Sequence, residues 1–136
     1  MPRSLKIIID TNLWISFLLT KQFSFLDKLL AKKKVRLIFS DELLAEFLEV
    51  VKRPKLSKYF DYKDLELLIE CINQYGEFYS VNSKVEICRD EKDNFLLALA
   101  KESKANYLIT GDKDLLILKK FENTEIITIA EYKIVT

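Results

Sequence analysis

Four acidic residues occupy positions where folding alone gives little reason for a carboxylate: Asp10, Glu46, Asp93 and Asp112. Asp10 and Asp112 each follow an apolar run that is typical of a buried strand. An ionised carboxylate in such a place costs several kcal/mol unless it is paired or bound to a metal. If the fold gathers these acids, they repel one another unless a positive charge lies between them. Because the chain contains no histidine, a hard divalent cation is the simplest source of that charge.

The chemistry open to such a cluster depends on its ligand atoms. Oxygen ligands alone favour Mg²⁺ or Mn²⁺, and such a metal can activate a water molecule and stabilise charge on a phosphodiester oxygen. The absence of histidine excludes a histidine general base. Cys71 and Cys88 are far apart and are interpreted as small apolar residues rather than zinc ligands or nucleophiles. The sequence therefore indicates metal-dependent phosphoryl chemistry rather than acyl transfer.

Some of these acids also have a purely structural explanation. Glu46 lies on the flank of an apolar helical stripe and could be a solvated boundary residue. Asp90 and Asp93 both fall at the start of a helix, where acids are favoured, so they compete for one position in the cluster. Asp114 competes in the same way with Asp112, and the residues alone leave both choices open.

The elements that must position these acids alternate between strands and helices. The pattern predicts strands at residues 5–9, 35–39, 106–110 and 125–129, short extended pieces at 77–81 and 85–88, and helices at 13–19, 23–31, 41 to just before Pro54, 62–75, about 90–100 and 115–121. This alternation implies an α/β fold with a mainly parallel sheet covered by helices on both faces.

Ligands of such sheets bind outside the carboxyl ends of the strands. Asp10 and Asp112 both fall there, so two separate parts of the sequence indicate the same edge. Asp10 or Asn12 could instead cap the helix that follows. Gly111 is expected to permit a tight turn and a close backbone approach to a ligand.

Composition limits the remaining choices. The chain has 136 residues, of which 49% are hydrophobic and 32% charged, and this balance fits a single domain spanning residues 1–136. The net charge of +1 neither requires nor excludes nucleic acid. The longest apolar stretches are too short to cross a membrane, and the N-terminus lacks the apolar region of a signal peptide. We therefore expect a cytoplasmic protein with no membrane association.

The order of the motifs Asp10-Thr11-Asn12, Glu46, Asp93-Asn94 and Thr110-Gly111-Asp112 resembles the PIN domain family. Within that family it is most similar to the VapC-like ribonucleases, the toxin components of prokaryotic toxin–antitoxin pairs. The resemblance covers residues 5–129. It implies a three-layer α/β/α sandwich with a central, mainly parallel sheet, whose acidic pocket binds Mg²⁺ or Mn²⁺. Its implied activity is hydrolysis of RNA phosphodiesters by a metal-activated water.

Roles follow from the resemblance by position. The resemblance implies that the catalytic, metal-binding acids are Asp10, Glu46, Asp93 and Asp112. Asp114 is then a candidate fifth metal ligand, and Asn12 and Thr110 are supporting polar groups. Asp93 is preferred to Asp90 because it directly precedes the apolar part of its helix, and Asp112 to Asp114 because it lies nearer the strand end. The resemblance also implies a homodimer and an antitoxin protein that inserts a segment into the acidic groove.

Basic residues offer a route for RNA. Arg53 and Lys55, with Lys52 and Lys58 beside them, could hold phosphates. The run of lysines at residues 32–34 is interpreted as a solvated helix end.

Two other functions remain open. The run from Gly111 to Asp114 resembles the late acidic motif of haloacid-dehalogenase-like phosphatases, in which Asp10 would be the nucleophile, although Asn12 replaces their second carboxylate. A non-catalytic PIN-like module that binds metal or a partner is the other alternative. Four aromatic residues, Trp14, Phe17, Phe23 and Phe25, could form a partner surface or belong to the core.

Overall fold

The structure is a computed structural model that describes residues 5–31 and 34–135, with side chains up to residue 134. The expectations for the N-terminus before residue 5 and for Lys32 and Lys33 lie outside the described residues. The strands are β1 (Leu5–Ile9), β2 (Val35–Phe39), β3 (Gly76–Phe78), β4 (Tyr107–Ile109), β5 (Lys120–Phe121) and β6 (Thr124–Ile127). The helices are α1 (Thr11–Thr20), α2 (Ser24–Ala31), α3 (Asp41–Val51), α4 (Pro54–Ser57), α5 (Tyr62–Tyr75), α6 (Glu91–Ser103), α7 (Lys113–Leu116) and α8 (Ile129–Val135).

The strands form one sheet in the order β3-β2-β1-β4-β6-β5. Every pairing is parallel except that of β5 with β6, which is antiparallel. The helix α5 packs on β2 and β3, α6 packs on β1 and β5, and α1 contacts α3 and α5. The predicted three-layer α/β/α architecture with a mainly parallel sheet is confirmed.

The central position of β1 explains its composition. Three consecutive isoleucines, Ile7, Ile8 and Ile9, are almost fully buried, as expected for a strand that helices cover on both faces. The aromatic residues of α1 and α2 complete the core. Trp14, Phe17 and Phe25 are buried and Phe23 is half-buried, so the core interpretation is correct for the first three.

Local sequence signals fix several helix ends. The Ser40 hydroxyl accepts a hydrogen bond from the backbone N–H of Leu43 at 3.0 Å and caps α3, as serine at this position in the sequence favours. Pro54 begins the short helix α4 after α3 has ended. The helix α5 has its predicted bounds and ends at Gly76, where a Cβ atom would clash with the carbonyl oxygen of Ile72.

Several predictions in the second half of the chain are wrong. Residues 115–121 do not form one helix, because α7 ends at Leu116 and the backbone turns through a left-handed conformation at Lys119 (φ 63°) before β5. The last strand ends at Ile127, two residues early, and α4 and α8 were not predicted. Of the two short extended pieces, residues 77–78 belong to β3, and residues 79–81 and 85–88 lie outside any strand.

Among the described residues, no helix is both long enough and apolar enough to span a membrane.

Candidate active site

Two neighbouring strands bring Asp10 and Thr110 together at the carboxyl edge of the sheet. β1 and β4 pair with Ile9 opposite Ile109, and the backbone N–H of Asp10 donates to the carbonyl oxygen of Ile109 at 3.0 Å. The Thr110 hydroxyl donates a 2.7 Å hydrogen bond to Oδ2 of Asp10, and both side chains are buried. The two strand ends that the sequence singled out therefore meet.

Asp10 also caps a helix, so its structural explanation is correct for one of its oxygens. Its Oδ1 accepts a hydrogen bond from the backbone N–H of Asn12 at 3.2 Å, at the start of α1. The side chain of Asn12 is exposed and forms no hydrogen bond with any described residue. Asn12 thus supports Asp10 through its backbone.

Thr110 links Asp10 to the next acid along the chain. Its hydroxyl oxygen accepts a hydrogen bond from the backbone N–H of Asp112 at 3.0 Å while the same hydroxyl donates to Asp10. Asp112 in turn accepts from the backbone N–H of Asp114 at 2.8 Å and caps α7. Gly111 has no positive φ, and a Cβ atom there would meet nothing within 4 Å, so the turn itself does not require glycine. The close backbone approach to a ligand stays a prediction.

A third segment, the first turn of α6, contributes Asp93. This residue is 4% exposed, and its Oδ2 has no hydrogen-bond partner among the described residues. Carboxylate oxygens of Asp93, Asp112 and Asp114 lie within 4.8 Å of one another. Two segments of the chain, the first turn of α6 and the turn between β4 and α7, therefore place acidic oxygens close enough to share one cation.

The pKa of Asp93 shows that gathering these carboxylates is unfavourable without a counter-charge. Burial, followed by a hydrogen bond to Asp112 and the charges of Asp112, Asp90 and Asp10, raises the pKa of Asp93 from 3.8 to about 7. Two ionised carboxylates cannot hydrogen-bond each other, because neither has a proton to donate. Without a cation, the buried acid therefore holds a proton near neutral pH.

One exposed arginine already partly neutralises the group. A terminal nitrogen of Arg89 lies 3.0 and 2.9 Å from the two oxygens of Asp114. No role was predicted for Arg89 from the sequence. The sequence feature that could have indicated a role for Arg89 is its position directly before Asp90, between an extended segment and the acidic start of a helix.

Glu46 stands on the wall of the same cleft without joining the three-carboxylate group. Its Oε1 lies 3.5 Å from Nζ of Lys92, and its side chain is one-third exposed. No role was predicted for Lys92 from the sequence either.

Asp90 is exposed and caps α6, because its side chain accepts a hydrogen bond from the backbone N–H of Lys92 at 2.9 Å. The structural explanation therefore holds for Asp90, whereas Asp93 points to the other acids.

Asn94 fixes the segment that leads to this helix. Its Oδ1 accepts hydrogen bonds from the backbone N–H groups of Ile87 at 3.1 Å and Cys88 at 2.7 Å, and its Nδ2 donates to the Cys88 carbonyl at 3.0 Å. The side chain is buried. Asn94 thus holds the loop that carries Arg89.

A cleft of about 150 Å³ lies beside these acids. Its walls are formed by Asp10, Thr11, Asn12, Leu43, Glu46, Asp90, Lys92, Asp93, Phe95, Leu96 and Asp112. The basic residues suggested for RNA lie elsewhere: Arg53, 3.5 Å from Glu49, precedes α4, and Lys55 is exposed on that helix.

A three-layer sandwich with carboxylates gathered at the carboxyl edge of parallel strands defines an α/β protein whose acidic cleft suits a hard divalent cation. Comparison with known proteins identifies the family. The PIN domain matches residues 6–114. An uncharacterized protein of Methanocaldococcus jannaschii is 34% identical over 119 residues, which cover 85% of this chain and 76% of that protein. The chain therefore belongs to the PIN domain family.

A solved structure has the same fold. A chain of VapBC2 from Rickettsia felis, solved bound to a DNA fragment from its promoter, matches with a TM-score of 0.60 and 17% identity. The match covers 90% of this chain and 97% of that chain. PIN domains are generally nucleases. Membership of this family sets aside the haloacid-dehalogenase-like alternative.

Proposed function

We propose that this protein is a metal-dependent endoribonuclease of the VapC-like toxin type, which hydrolyses RNA phosphodiesters. The observation that carries the proposal is the buried carboxylate of Asp93, which has an oxygen without a hydrogen-bond partner and faces Asp112 and Asp114. A buried, unpaired carboxylate oxygen is costly, and a bound cation is the partner that removes this cost.

The residues present fit Mg²⁺ or Mn²⁺. The donor set is made of carboxylate oxygens, which these hard ions prefer, and no histidine is present in the chain to favour a softer metal. Asp93, Asp112 and Asp114 would hold the ion, with Asp10 and Glu46 lining the cleft beside them. A bound ion would supply Lewis acidity, which activates water and stabilises charge on the scissile phosphate.

The other residues orient these ligands. Thr110 fixes one oxygen of Asp10 and the backbone before α7, so a single hydroxyl sets the relative positions of two acids. Arg89, in contrast, pairs with both oxygens of Asp114 from the solvent side and would compete with the ion for them. Lys92 balances the charge of Glu46 on the cleft wall, where an RNA phosphate would meet its ammonium group.

The family resemblance extends the proposal to partners and context. We infer that an antitoxin protein covers the acidic cleft, that the protein forms a homodimer and that it acts in the cytoplasm. The likeness of the fold to a VapBC2 chain supports the first of these inferences. We also propose that residues 1–136 form one domain, since β6, which follows the matched residues, pairs with the central strand β4.

A cleavage assay tests the activity directly. Purified protein should cut single-stranded RNA in Mn²⁺ or Mg²⁺ and stop when EDTA is added. Asp10→Asn and Asp112→Asn should each lower the rate by on the order of a hundredfold or more, because each removes a negative charge that favours the cation in the cleft. Asp27→Asn, an exposed acid on α2, is the matched control and should retain the rate.

The alternatives predict different results. Mn²⁺ binding without cleavage of any of several unrelated RNAs would favour the non-catalytic module. Hydrolysis of small phosphate monoesters with an acyl phosphate at Asp10 would instead restore the phosphatase reading.

A further inference from the structure

The segment from the end of α3 to the start of α5 concentrates positive charge. Residues 52–63 contain five cations, Lys52, Arg53, Lys55, Lys58 and Lys63, and one acid, Asp61. The net charge of this segment is therefore +4, whereas the whole chain has a net charge of +1. We call residues 52–63 the basic–aromatic surface.

These cations are available to a ligand. All five side chains are exposed. Arg53 contacts Glu49 at 3.5 Å, and none of the four lysines takes part in an ion pair with another described residue. The ammonium group of Lys58 lies 5.1 Å from the centre of the Tyr59 ring. The positive charges of these four lysines therefore attract an anionic partner.

Two large aromatic side chains share this surface. Tyr59 is 62% exposed and Tyr62 is 69% exposed, whereas Phe60 between them is half-buried against the core. Exposed aromatic faces among lysines are typical of single-stranded nucleic-acid binding, in which bases stack on the rings and lysines neutralise phosphates. An acidic polypeptide would satisfy the lysines but would leave the ring faces unused.

The topology places this surface towards the same edge of the sheet, the carboxyl edge, as the acidic cleft. The helix α5 packs on β2 and β3 and leads directly into β3, which is parallel to β2. The end of α5 therefore lies at the amino edge of the sheet, and its start, 14 residues earlier, lies about 21 Å away towards the carboxyl edge. On α3, Glu46 of the cleft precedes Lys52 by six residues, about 9 Å along the helix axis.

We propose that the basic–aromatic surface binds single-stranded RNA and leads it to the acidic cleft. The inference rests on the proposed ribonuclease function and names the part of the protein that holds substrate beyond the scissile phosphate. Lys55 and Lys58 contact phosphates, and Tyr59 and Tyr62 stack on bases. Binding is tolerant of sequence because every base offers an aromatic face.

Fluorescence anisotropy of the full chain with a labelled 12-nucleotide RNA in EDTA tests the proposal, because no cleavage can occur without metal. Lys55→Ala combined with Lys58→Ala should weaken binding and reduce the slope of log affinity against log salt by about 1.4, or about 0.7 for each lost phosphate contact. Tyr59→Ala combined with Tyr62→Ala should weaken binding about tenfold or more with the slope unchanged.

The control is a second loss of two charges, Lys28→Ala combined with Lys101→Ala, on exposed positions of α2 and α6. It should bind RNA within about twofold of the unchanged protein. Since all substituted side chains are exposed, thermal unfolding should verify that each variant is folded. Equal losses in the control and the lysine variant would overturn the proposal, because binding would then follow net charge alone.

Other outcomes are equally decisive. If polyglutamate displaces the RNA as well as unlabelled RNA does, and the tyrosine variant binds normally, the surface recognises acidic protein and the proposal fails. If cleavage is metal-dependent but both variants bind RNA normally, the surface proposal fails while the ribonuclease function stands. If no cleavage occurs but both variants lose RNA binding, the surface proposal stands while the ribonuclease function fails.

Discussion

Replacing Asp93 by Asn should stabilise the metal-free protein at pH 8. Asp93 is buried, its pKa is raised to about 7, and at pH 8 its charge lies beside Asp112 without a cation. Asn has nearly the same shape, carries no charge and can donate a hydrogen bond to Asp112. The substitution therefore removes an electrostatic cost that metal binding would otherwise remove.

The magnitude follows from the pKa. In the unfolded chain the carboxyl group titrates near 3.8, and in the folded protein near 7. Between these values the folded state binds more protons than the unfolded state, so the free energy of unfolding decreases as pH rises through this window. Each pH unit contributes about 1.4 kcal/mol, which gives an upper limit of about 4 kcal/mol. Loss of an acid at a helix N-terminus costs up to about 1 kcal/mol, so we expect a gain of about 2–4 kcal/mol.

Urea denaturation in EDTA at pH 4, 6 and 8 measures this effect. The stability of Asp93→Asn relative to the unchanged protein should increase from pH 4 to pH 8, and Asp27→Asn should show no such trend. Added Mn²⁺ should stabilise the unchanged protein and stabilise Asp93→Asn much less. If Asp93→Asn is the less stable protein at pH 8 in EDTA, the assignment of Asp93 as an uncompensated buried charge is wrong.

Three further substitutions test the surroundings of this acid. Thr110→Val should cost about 1–3 kcal/mol of stability, measured by urea denaturation, because it removes the hydroxyl that Asp10 accepts from. Arg89→Ala should increase Mn²⁺ affinity several-fold in calorimetry, because it removes a cation that competes for Asp114, and should leave the free energy of unfolding nearly unchanged because this ion pair is exposed. Asn94→Ala should cost about 2–3 kcal/mol, since three hydrogen bonds to the preceding loop are lost.

Each of these results has a clear opposite. Unchanged stability in Thr110→Val would mean that the hydroxyl does not hold the two strand ends. Weaker Mn²⁺ binding in Arg89→Ala would make that arginine a positioning group rather than a competitor. For Asn94, Lys101→Ala on the exposed side of the same helix is the control, and an equal loss in both would contradict a specific loop contact.

The sequence was informative where local signals agreed with the fold. The isoleucine run before Asp10 and the apolar run before Thr110 predicted two buried parallel strands, and parallel strands necessarily end at the same edge. The spacing of apolar residues gave α5 its observed bounds, and the Ser40 cap and Pro54 located the two ends of the α3 region. These signals depend only on neighbouring residues, so no tertiary information was needed.

Other features depended on contacts distant in sequence. Residues 115–118 are apolar enough for a helix, but Lys119 and Glu122 adopt positive φ values and fold the chain into the β5–β6 hairpin. Asp93 is buried and Asp90 is exposed, a difference that sequence spacing did not reveal. The role of Arg89 depends on Asp114, 25 residues later, and could not be deduced from its neighbours.

The hydrogen bond between Asp10 and Thr110 joins two residues that the ribosome adds to the chain at different times. The two residues are separated by 100 positions, and the other acids of the cleft lie between or after them. At about 5–20 residues per second, the ribosome adds Thr110 roughly 5–20 s after Asp10. Until then β1 lacks its neighbour β4, and the cleft has no second strand end. A nascent chain that has not yet reached Thr110 therefore carries no assembled acidic cleft.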